Sequence, residues 1–551
     1  MRVKETKDHL TVQAIGGTHV VLLGMSVPKA ERAGLLGFAI RREDVTEEEN
    51  YWLRGLKTFK EVVPQQIPGQ HYSLLEHPVQ SFRWSDYTAK PDHTYRFEIV
   101  PMKGTPKNLE PQESVTVEVK TESEGDSNQV HDVYFNRGVS ASQAYVRRFG
   151  PNRPEDLSPE QKDKAYEWLS RGLEEAILAF IGQANDGTYS LRASVYEFNY
   201  KPVLQALRAA SQAGADVRIV YDARDDHPKD STEQALQEVG IANLAVPRST
   251  NTSFIAHNKF IVLSRNGTPN QVWTGSTNFT RGGIFGQSNV GHIVRDETIA
   301  KAYFDYWNQL VTDPEAADLR LWIENHTPDP TGPPSADSVT ALFSPRRKLD
   351  LLQWYADRLN DADDSAHLTA AFGVHTLLEE VLRKQKAHLR FVLQERRDQQ
   401  QDEWTIDRDV QTAVGGKIPG DALYGWTKEI LTGFNFHVNY IHDKFMLVDP
   451  LSDDPVVLTG SANFSDASVK RNDENMLAIR GDKRVADIYL GEFMRLFSHH
   501  YFRDLIRKQQ GENLSTPRNL FLSPDDSWTS VYYEQYSVKS KMRRLFSGVV
   551  E

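Results

Sequence analysis

Cysteine is absent from this chain: none of its 551 residues is a Cys. A disulfide framework and a thiolate metal site are therefore excluded. Long apolar runs are also missing, since no stretch approaches the roughly 20 residues that a membrane-spanning helix needs, and the first residues carry no apolar signal-peptide core. These absences predict a cytoplasmic protein without a transmembrane segment, and they leave peripheral contact with a membrane open.

The chain also has fewer basic than acidic residues. The chain has 64 Lys and Arg against 76 Asp and Glu, which gives a net charge of −12. Phosphate contacts along duplex DNA need Lys and Arg, so a protein coated in basic surface for that purpose is disfavoured, whereas a local basic cleft is not. The composition is globular, with 39% hydrophobic residues, and a prior of about 150 residues per domain predicts three or four domains.

The first part of the chain, residues 1–122, has the pattern of an all-β domain. Short strands separated by turn signals are typical of an immunoglobulin-like or fibronectin-like sandwich, and Gly16 and Gly17 suit a tight hairpin. No catalytic constellation is visible there, so we predict a packing or docking module, with a protein partner as its candidate ligand. The candidate strands are Leu10–Ile15, His19–Met25, Leu35–Arg41, Tyr95–Val100 and Ser114–Val119.

Two similar halves follow, at residues 130–327 and 336–510. In each half strands alternate with helices, which predicts an α/β fold with a mostly parallel sheet. The order of elements in the first half returns in the second, as in an internal repeat. Residues 511–551 are predicted to form a C-terminal tail. Its basic residues, interpreted as a solvated face with an anchor for an anionic surface as the alternative, are Lys539, Lys541, Arg543 and Arg544.

The most informative pattern occurs once in each half. In both copies a His-x-Lys triplet is followed by Gly-Ser-x-Asn, and the Gly lies 18 positions after the His. Residues two apart in a strand project from the same face, so the His and Lys of each copy point the same way. The copies are His257-Asn258-Lys259 with Gly275-Ser276-Thr277-Asn278, and His442-Asp443-Lys444 with Gly460-Ser461-Ala462-Asn463.

These residue types suit the chemistry of a phosphodiester. Two imidazoles can serve as nucleophile and as acid or base, while two Lys and two Asn can stabilise the charge that develops on the phosphoryl oxygens. This set requires neither a metal ion nor a cofactor. We therefore predict one site built from two halves. Its predicted catalytic residues are His257, Lys259, Asn278, His442, Lys444 and Asn463, and its predicted substrate-binding residues are Ser276 and Ser461.

The paired motifs resemble those of the phospholipase D superfamily, whose signature is His-x-Lys-x4-Asp. The resemblance covers roughly residues 130–510 and implies a bilobal fold of two α/β/α lobes with pseudo-twofold symmetry and one site at the interface. It also implies that one His attacks phosphorus to form a covalent phosphohistidine. The other His would protonate the leaving alcohol and then activate water, or a second alcohol in a transfer reaction. Because both halves lie in one chain, we expect a monomer.

The two copies differ in their supporting residues. Asp449 stands at the signature Asp position of the second copy, where the first copy has Ser264. Aligning Ile479-Arg480 with Val294-Arg295 also places Glu474 opposite Asn289. The resemblance assigns Asp449 a structural role rather than a chemical one.

This asymmetry predicts different roles for the two His residues. The resemblance implies that the acidic residue of one half supports the His of the other, so Glu474 would support His257 and Asn289 would face His442. A carboxylate fixes the tautomer of an imidazole and stabilises the imidazolium better than an amide does. We therefore predict His257 as the nucleophile and His442 as the acid and base; the reversed assignment stays open.

Three classes of function compete. A phospholipase D-type enzyme acting on phospholipid head groups is favoured by the low basicity and by an aromatic stretch that could meet acyl chains. A nuclease of the same superfamily is the first alternative, with aromatics stacking bases and a basic run following the backbone. A degenerate, non-catalytic binding protein is the second. The aromatic residues are Tyr424, Trp426, Phe434, Phe436 and Tyr440, and the basic ones are Arg383, Lys384, Lys386, Arg390, Arg396 and Arg397.

Overall fold

The structure is a computed structural model that describes most of the chain. Of the residues predicted to contact lipid or nucleic acid, five lie outside the described residues: Tyr424, Trp426, Phe434, Phe436 and Arg397. The described ranges are 1–138, 142–224, 227–250, 254–396, 409–418, 428–429, 438–511 and 521–550.

The N-terminal region is β-rich, as predicted, and consists mainly of two antiparallel sheets. One has the order β1-β2-β3-β8; the other has the order β10-β9-β4-β5, with β11 also paired to β9. Alternating side chains such as Val12, Leu23, Phe38 and Val117 are buried between them. The strands are β1 (Arg2–Lys7), β2 (Leu10–Gly16), β3 (Val21–Ser26), β4 (Gly37–Asp44), β5 (Glu49–Trp52), β6 (Arg54–Gly55), β7 (Tyr72–Ser73), β8 (Arg83–Asp86), β9 (Thr94–Thr105), β10 (Asn108–Pro111) and β11 (Val115–Lys120).

Two lobes follow, and their seven-stranded sheets have the same strand order. The order in lobe 1 is β12-β18-β17-β16-β13-β14-β15. Its strands are β12 (His131–Phe135), β13 (Tyr189–Val195), β14 (Asp216–Asp222), β15 (Ala245–Arg248), β16 (Lys259–Arg265), β17 (Thr268–Gly275) and β18 (Val290–Val294). Its helices are α1 (Gln143–Phe149), α2 (Pro159–Ser170), α3 (Leu173–Gly182), α4 (Lys201–Gln212), α5 (His227–Val239), α6 (Glu297–Leu310) and α7 (Ala316–His326).

Lobe 2 repeats this arrangement with the order β19-β25-β24-β23-β20-β21-β22. Each strand of lobe 1 therefore has a counterpart at the same position, which gives the pseudo-twofold relation. The strands are β19 (Ser338–Ser344), β20 (Ser365–Ala370), β21 (Leu389–Gln394), β22 (Val410–Val414), β23 (Phe445–Val448), β24 (Val456–Gly460) and β25 (Glu474–Arg480). The helices are α8 (Asp350–Asn360), α9 (Thr376–Arg383), α10 (Asp466–Lys470) and α11 (Lys483–Gly511).

The prediction of a mostly parallel sheet is wrong. In lobe 1 only the pairs β13–β14 and β14–β15 are parallel, while the other four pairs are antiparallel. The reason is local: β16 and β17 are joined by a turn of two residues, and only antiparallel neighbours can be joined so tightly. As a consequence, β16 begins beside the end of β13, so the motif His lies at the edge of the sheet where the parallel strands finish.

The lobes share one apolar core that passes through their interface. Helix α6 of lobe 1 packs against β19 of lobe 2, and α11 of lobe 2 packs against β12 of lobe 1. Tyr306 stacks on Phe343 with ring centroids 4.4 Å apart, and Phe135 meets Tyr489 edge to face at 5.1 Å. Because each lobe contributes a helix to the other, burial of apolar surface holds the two sheet edges together.

The interpretation of the C-terminal basic residues as a solvated face is wrong for Arg543. This residue lies on helix α12 (Val538–Ser547), which packs on β3 of the sandwich. The Arg543 side chain is buried; it donates to Ser26 Oγ at 2.5 Å and to Tyr532 O at 3.1 Å, and it lies over the ring of Tyr533. The four basic residues indicated solvent because the sequence does not reveal the sandwich that covers this helix.

Asp449 closes a turn at the far end of lobe 2. Its carboxylate accepts hydrogen bonds from the backbone N–H groups of Asp363, Asp364 and Ser365, at 2.8, 2.7 and 2.9 Å. In lobe 1 the corresponding Ser264 hydroxyl is buried and has no hydrogen-bond partner among the described residues. The equivalent turn is closed there by Asp186, whose Oδ1 accepts from Thr188 N at 2.7 Å.

Replacing Asp449 by Ala is expected to lower the free energy of unfolding by about 2–4 kcal/mol, because three backbone amides lose their acceptor. Asp449 also has a φ of 45°, a conformation that Asn tolerates better than Ala. D449N should therefore cost about half as much, and S264A should be close to neutral. Guanidinium denaturation of the three variants measures this difference; equal losses at positions 449 and 264 would contradict it.

None of the helices in the described ranges is long and apolar enough to cross a membrane.

Candidate active site

The two motif His residues are held at the lobe interface by backbone contacts that cross between lobes. His257 N donates to Asp473 O at 3.0 Å, and His442 N donates to Ser288 O at 3.2 Å. Short parallel bridges, Ala256 with Asp473 and Ser288 with Ile441, accompany these bonds. Each His is therefore fixed by the segment of the other lobe that leads into Glu474 or Asn289.

His257 is oriented by Glu474. Its Nδ1 lies 2.9 Å from both carboxylate oxygens of Glu474, and Ser461 Oγ donates to Glu474 Oε2 at 2.6 Å. Burial raises the pKa of Glu474 to about 7. Burial lowers the pKa of His257, and the charges of Lys259 and Lys444 lower it further. A neutral imidazole that donates from Nδ1 leaves the Nε2 lone pair available as a nucleophile.

His442 is oriented by an amide instead. Its Nδ1 lies 2.8 Å from Asn289 Oδ1, which also accepts from Ser276 Oγ at 2.8 Å. The Asn289 amide donates to Gly283 O at 2.8 Å, which fixes its oxygen toward the imidazole. Burial and the nearby Lys444 and Lys259 lower the pKa of His442 well below its usual value. Without a carboxylate partner, its protonated form is a stronger acid than an imidazolium paired with Glu.

The two lysines form the cationic part of the site. Lys259 Nζ donates to His257 O at 2.5 Å, and Lys444 Nζ donates to His442 O at 2.6 Å. Each ammonium keeps two further N–H donors. Burial lowers the pKa of Lys259 to about 8, and burial together with the charge of Lys259 lowers the pKa of Lys444 well below its usual value. A phosphate group placed here would favour the charged form of both lysines.

Both Gly-Ser-x-Asn segments run close to a neighbouring strand. A Cβ on Gly275 would lie 2.3 Å from Val290 O, and one on Gly460 would lie 2.2 Å from Asn475 O, so no larger residue fits without a shift. This close approach places the buried hydroxyls of Ser276 and Ser461 against Asn289 and Glu474. Substrate binding by these two Ser residues stays a prediction.

The two motif Asn residues have unequal surroundings. Asn278 Nδ2 donates to Glu197 Oε2 at 2.6 Å, a contact that Asn463 lacks among the described residues. The side-chain oxygens of both Asn residues are buried with no hydrogen-bond partner in the described part of the chain. An amide carries two N–H donors, so Asn278 keeps one for a substrate oxygen.

Several residues that lie at the site were not predicted from the sequence. Tyr196 lies with its ring centroid 5.0 Å from that of His257, and Glu197 follows it. Asp222 and Arg224 form an ion pair and act on the charges of Lys259 and His257. All four lie at or just after the carboxyl ends of β13 and β14, so the rule that ligands bind beyond the carboxyl ends of parallel strands could have found them. Within the described ranges, no group of three His, Asp or Glu residues could hold a metal ion.

Replacing Asn289 by Asp tests whether the amide keeps His442 acidic. A carboxylate beside the imidazole should raise the pKa of His442 by about 1–3 units, because an opposite charge stabilises the imidazolium. The part of the pH–kcat profile that requires protonated His442 should then extend to higher pH. Titration of ¹⁵N-labelled His followed by NMR, with the signal assigned through H442N, measures the pKa. N266D, which adds the same charge in an exposed turn, is the control; an unchanged His442 titration in N289D would contradict the expectation.

Fold and site together define a two-lobed protein in which a pair of His-Lys motifs meets at the lobe interface. A family model described as "Cardiolipin synthase, PLD-like domain" matches residues 177–311 and 357–497, together half of the chain. The chain therefore belongs to the phospholipase D-like family, which contains phosphodiesterases and phosphotransferases. The predicted family and two-lobe fold are confirmed.

The solved structures to which this chain is similar belong to proteins named for different activities. Polyphosphate kinase from Porphyromonas gingivalis is 11% identical with a TM-score of 0.41 over 62% of this chain, which spans about half (52%) of that protein. Phosphatidylserine synthase from Haemophilus influenzae Rd KW20 is 11% identical with a TM-score of 0.41, over 62% of this chain and 92% of that one. Nuc from Salmonella typhimurium, a phospholipase D family member, is 25% identical with a TM-score of 0.21, over 26% and 88%. None of the curated proteins compared matches the chain.

Proposed function

We propose that this protein is a metal-independent phosphodiesterase that forms a covalent phosphohistidine on His257 and acts on phospholipid head groups. The proposal rests on the different hydrogen-bond partners of the two imidazoles. His257 has a carboxylate partner and His442 has an amide partner, at 2.9 and 2.8 Å. A nucleophile that becomes cationic when it bonds to phosphorus benefits from a carboxylate, whereas a proton donor benefits from its absence.

In the first step, His257 Nε2 attacks phosphorus and the P–O bond to the leaving alcohol breaks. The bound phosphodiester anion favours the protonated form of His442, which donates its Nε2 proton to the departing oxygen and becomes neutral. The Nδ1–H of His257 remains bonded to Glu474, which offsets the positive charge on the phosphorylated ring. Lys259, Lys444 and the N–H donors of the motif Asn residues stabilise the charge on the phosphoryl oxygens.

In the second step, His442 accepts a proton from water as the water oxygen attacks phosphorus. The P–N bond to His257 breaks, and the free imidazole is restored. A second alcohol in place of water would give transfer instead of hydrolysis, by the same proton movements.

Two observations favour a lipid substrate over nucleic acid. The chain carries a net charge of −12, against the basic balance that phosphate backbones require. Within the predicted basic run, Arg390 is fully buried and donates to Val381 O at 2.9 Å and to Lys384 O at 2.8 Å, so it cannot follow a nucleic-acid backbone. Its charge serves to close the end of α9.

The test is to incubate the protein in EDTA with vesicles of phosphatidylcholine and phosphatidylethanolamine, and separately with single-stranded DNA, double-stranded DNA and RNA. Release of choline or ethanolamine without nucleic-acid cleavage supports the proposal. Nucleic-acid cleavage without head-group release would replace lipid by the nuclease alternative. If no substrate is consumed and no phosphohistidine can be trapped, the degenerate binding protein is the correct interpretation.

A further inference from the structure

Two segments bring the motif His residues to the lobe interface. One runs from the end of β15 to His257, and the other ends in residues 438–441, directly before His442. Apart from single bridges, the described residues of both segments form no helix or strand, so no regular backbone ladder fixes them. Side chains outside the motifs therefore have to hold each segment in place.

Arg248 holds the segment of lobe 1. It is the last residue of β15 and is 4% exposed. Its Nε donates to Asp473 Oδ2 at 2.8 Å, and its Nη1 donates to Asp313 Oδ1 and to Pro314 O, both at 2.8 Å. Asp473 is also the residue whose backbone oxygen accepts from His257 N at 3.0 Å. Because separating a buried ion pair leaves an uncompensated charge, the pair resists any displacement of Asp473 and of the His257 backbone bonded to it.

Glu395 holds the segment of lobe 2. Its side chain is buried; Oε1 accepts from Asn439 N at 2.7 Å, and Oε2 accepts from Tyr440 N at 3.0 Å and from Ile441 N at 2.8 Å. These three amides directly precede His442. An ionised carboxylate only accepts hydrogen bonds, so it suits three converging donors, whereas a side-chain amide would turn an NH2 group toward some of them.

The two arrangements differ in kind. Arg248 ends β15, whereas the counterpart strand β22 is followed by Gly415, which has no side chain to form a bridge. The bridge from Arg248 to Asp473 crosses between the lobes, while Glu395 and the amides that it binds all belong to lobe 2. The two imidazoles can therefore be displaced separately, although the lobes share one strand order.

We propose that Arg248 is the positioning residue for His257 and that Glu395 is the positioning residue for His442, so that each controls a different step of the reaction. This inference rests on the proposed function, in which His257 forms the adduct and His442 activates the water that removes it. A misplacement of about 1 Å at a reacting group can cost about 100-fold in rate. A change at Arg248 should therefore slow adduct formation, and a change at Glu395 should slow adduct breakdown.

The first experiment follows the adduct from bis(p-nitrophenyl) phosphate by rapid quench, because p-nitrophenolate departs without a proton from His442. R248M should lower the rate of adduct formation by about 10-fold to 100-fold, and R248K should restore part of it. E395Q should leave adduct formation largely unchanged and slow breakdown by about the same factor, so that the adduct accumulates; E395D should restore part of the rate. D449N is the matched control, because Asp449 also binds three backbone amides but lies at the far end of lobe 2.

A second measurement needs no turnover. The NMR signals of the two imidazoles, assigned through H257N and H442N, should respond selectively: R248M should shift the signal of His257, and E395Q that of His442. If these selective shifts are found while no phosphodiester is cleaved, the proposed function fails and the positioning roles stand. If phosphodiesters are cleaved and R248M and E395Q slow the same step, or slow both no more than D449N does, the proposed function stands and the inference is overturned. Absence of both cleavage and selective shifts overturns both.

Discussion

The H257N variant is expected to lose at least about 10⁴-fold in kcat, because the nucleophile that forms the covalent intermediate is removed and the remaining groups only bind and polarise the substrate. The measurement is the rate of p-nitrophenol release from bis(p-nitrophenyl) phosphate, combined with mass spectrometry of protein quenched and digested at alkaline pH, where a P–N bond survives, to locate a phosphoryl adduct. In the wild-type protein the adduct should map to His257.

The complementary variant is H442N. With a p-nitrophenolate leaving group, which departs without a proton, H442N should still phosphorylate His257 and then retain the adduct, because no base activates the attacking water. H9N, at an exposed position of the N-terminal region, is the control for loss of an imidazole. An adduct mapped to His442 in the wild-type protein would reverse the assignment of the two roles.

E474Q is expected to lower kcat by about 10²-fold to 10⁴-fold while the protein stays folded. Gln can occupy the same space, but it carries no charge to stabilise the phosphorylated imidazole and does not hold one tautomer as firmly. The loss should appear in the rate of adduct formation, measured by rapid quench, rather than in KM. E474D should recover part of the rate, since the charge returns at a longer reach.

The double variant E474Q/N289D tests whether the position of the carboxylate decides which His forms the adduct. If the two supporting positions are interchangeable, removing the carboxylate at one and adding it at the other should restore activity in the double variant E474Q/N289D with the adduct moved to His442. If the adduct stays on His257 or is lost, other groups around the two imidazoles fix the direction of attack.

The sequence predicted the lobes and the site because both depend on short patterns. Two His-x-Lys triplets at matched distances from Gly-Ser-x-Asn were enough to expect a shared site, and alignment of the strands after them placed Glu474 opposite Asn289. The resemblance to the phospholipase D superfamily then implied the contacts of Glu474 with His257 and of Asn289 with His442, and the structure contains both. Their catalytic roles remain predictions, as do the domain boundaries, the monomeric state and a protein partner for the N-terminal domain.

The features that the sequence did not predict depend on contacts between residues far apart in the chain. The sheets were predicted as mostly parallel because alternation of strand and helix does not show where a two-residue turn replaces a crossover helix. Arg543 was assigned to solvent because the covering sandwich is more than 400 residues away in the chain. Glu197 belongs to no motif, and its hydrogen bond from Asn278 is visible only in the folded chain.

The bridges that join Ala256 to Asp473 and Ser288 to Ile441 determine when the site can form during synthesis of the chain. His257 is not oriented until the ribosome has synthesised the strand that contains Glu474, 217 residues later, whereas His442 finds Asn289 already made. A lobe made on its own would carry every residue of one motif and still lack the partner that directs its His. Expressed as separate fragments, the halves would regain activity only by associating, and the rate would then depend on the product of their concentrations.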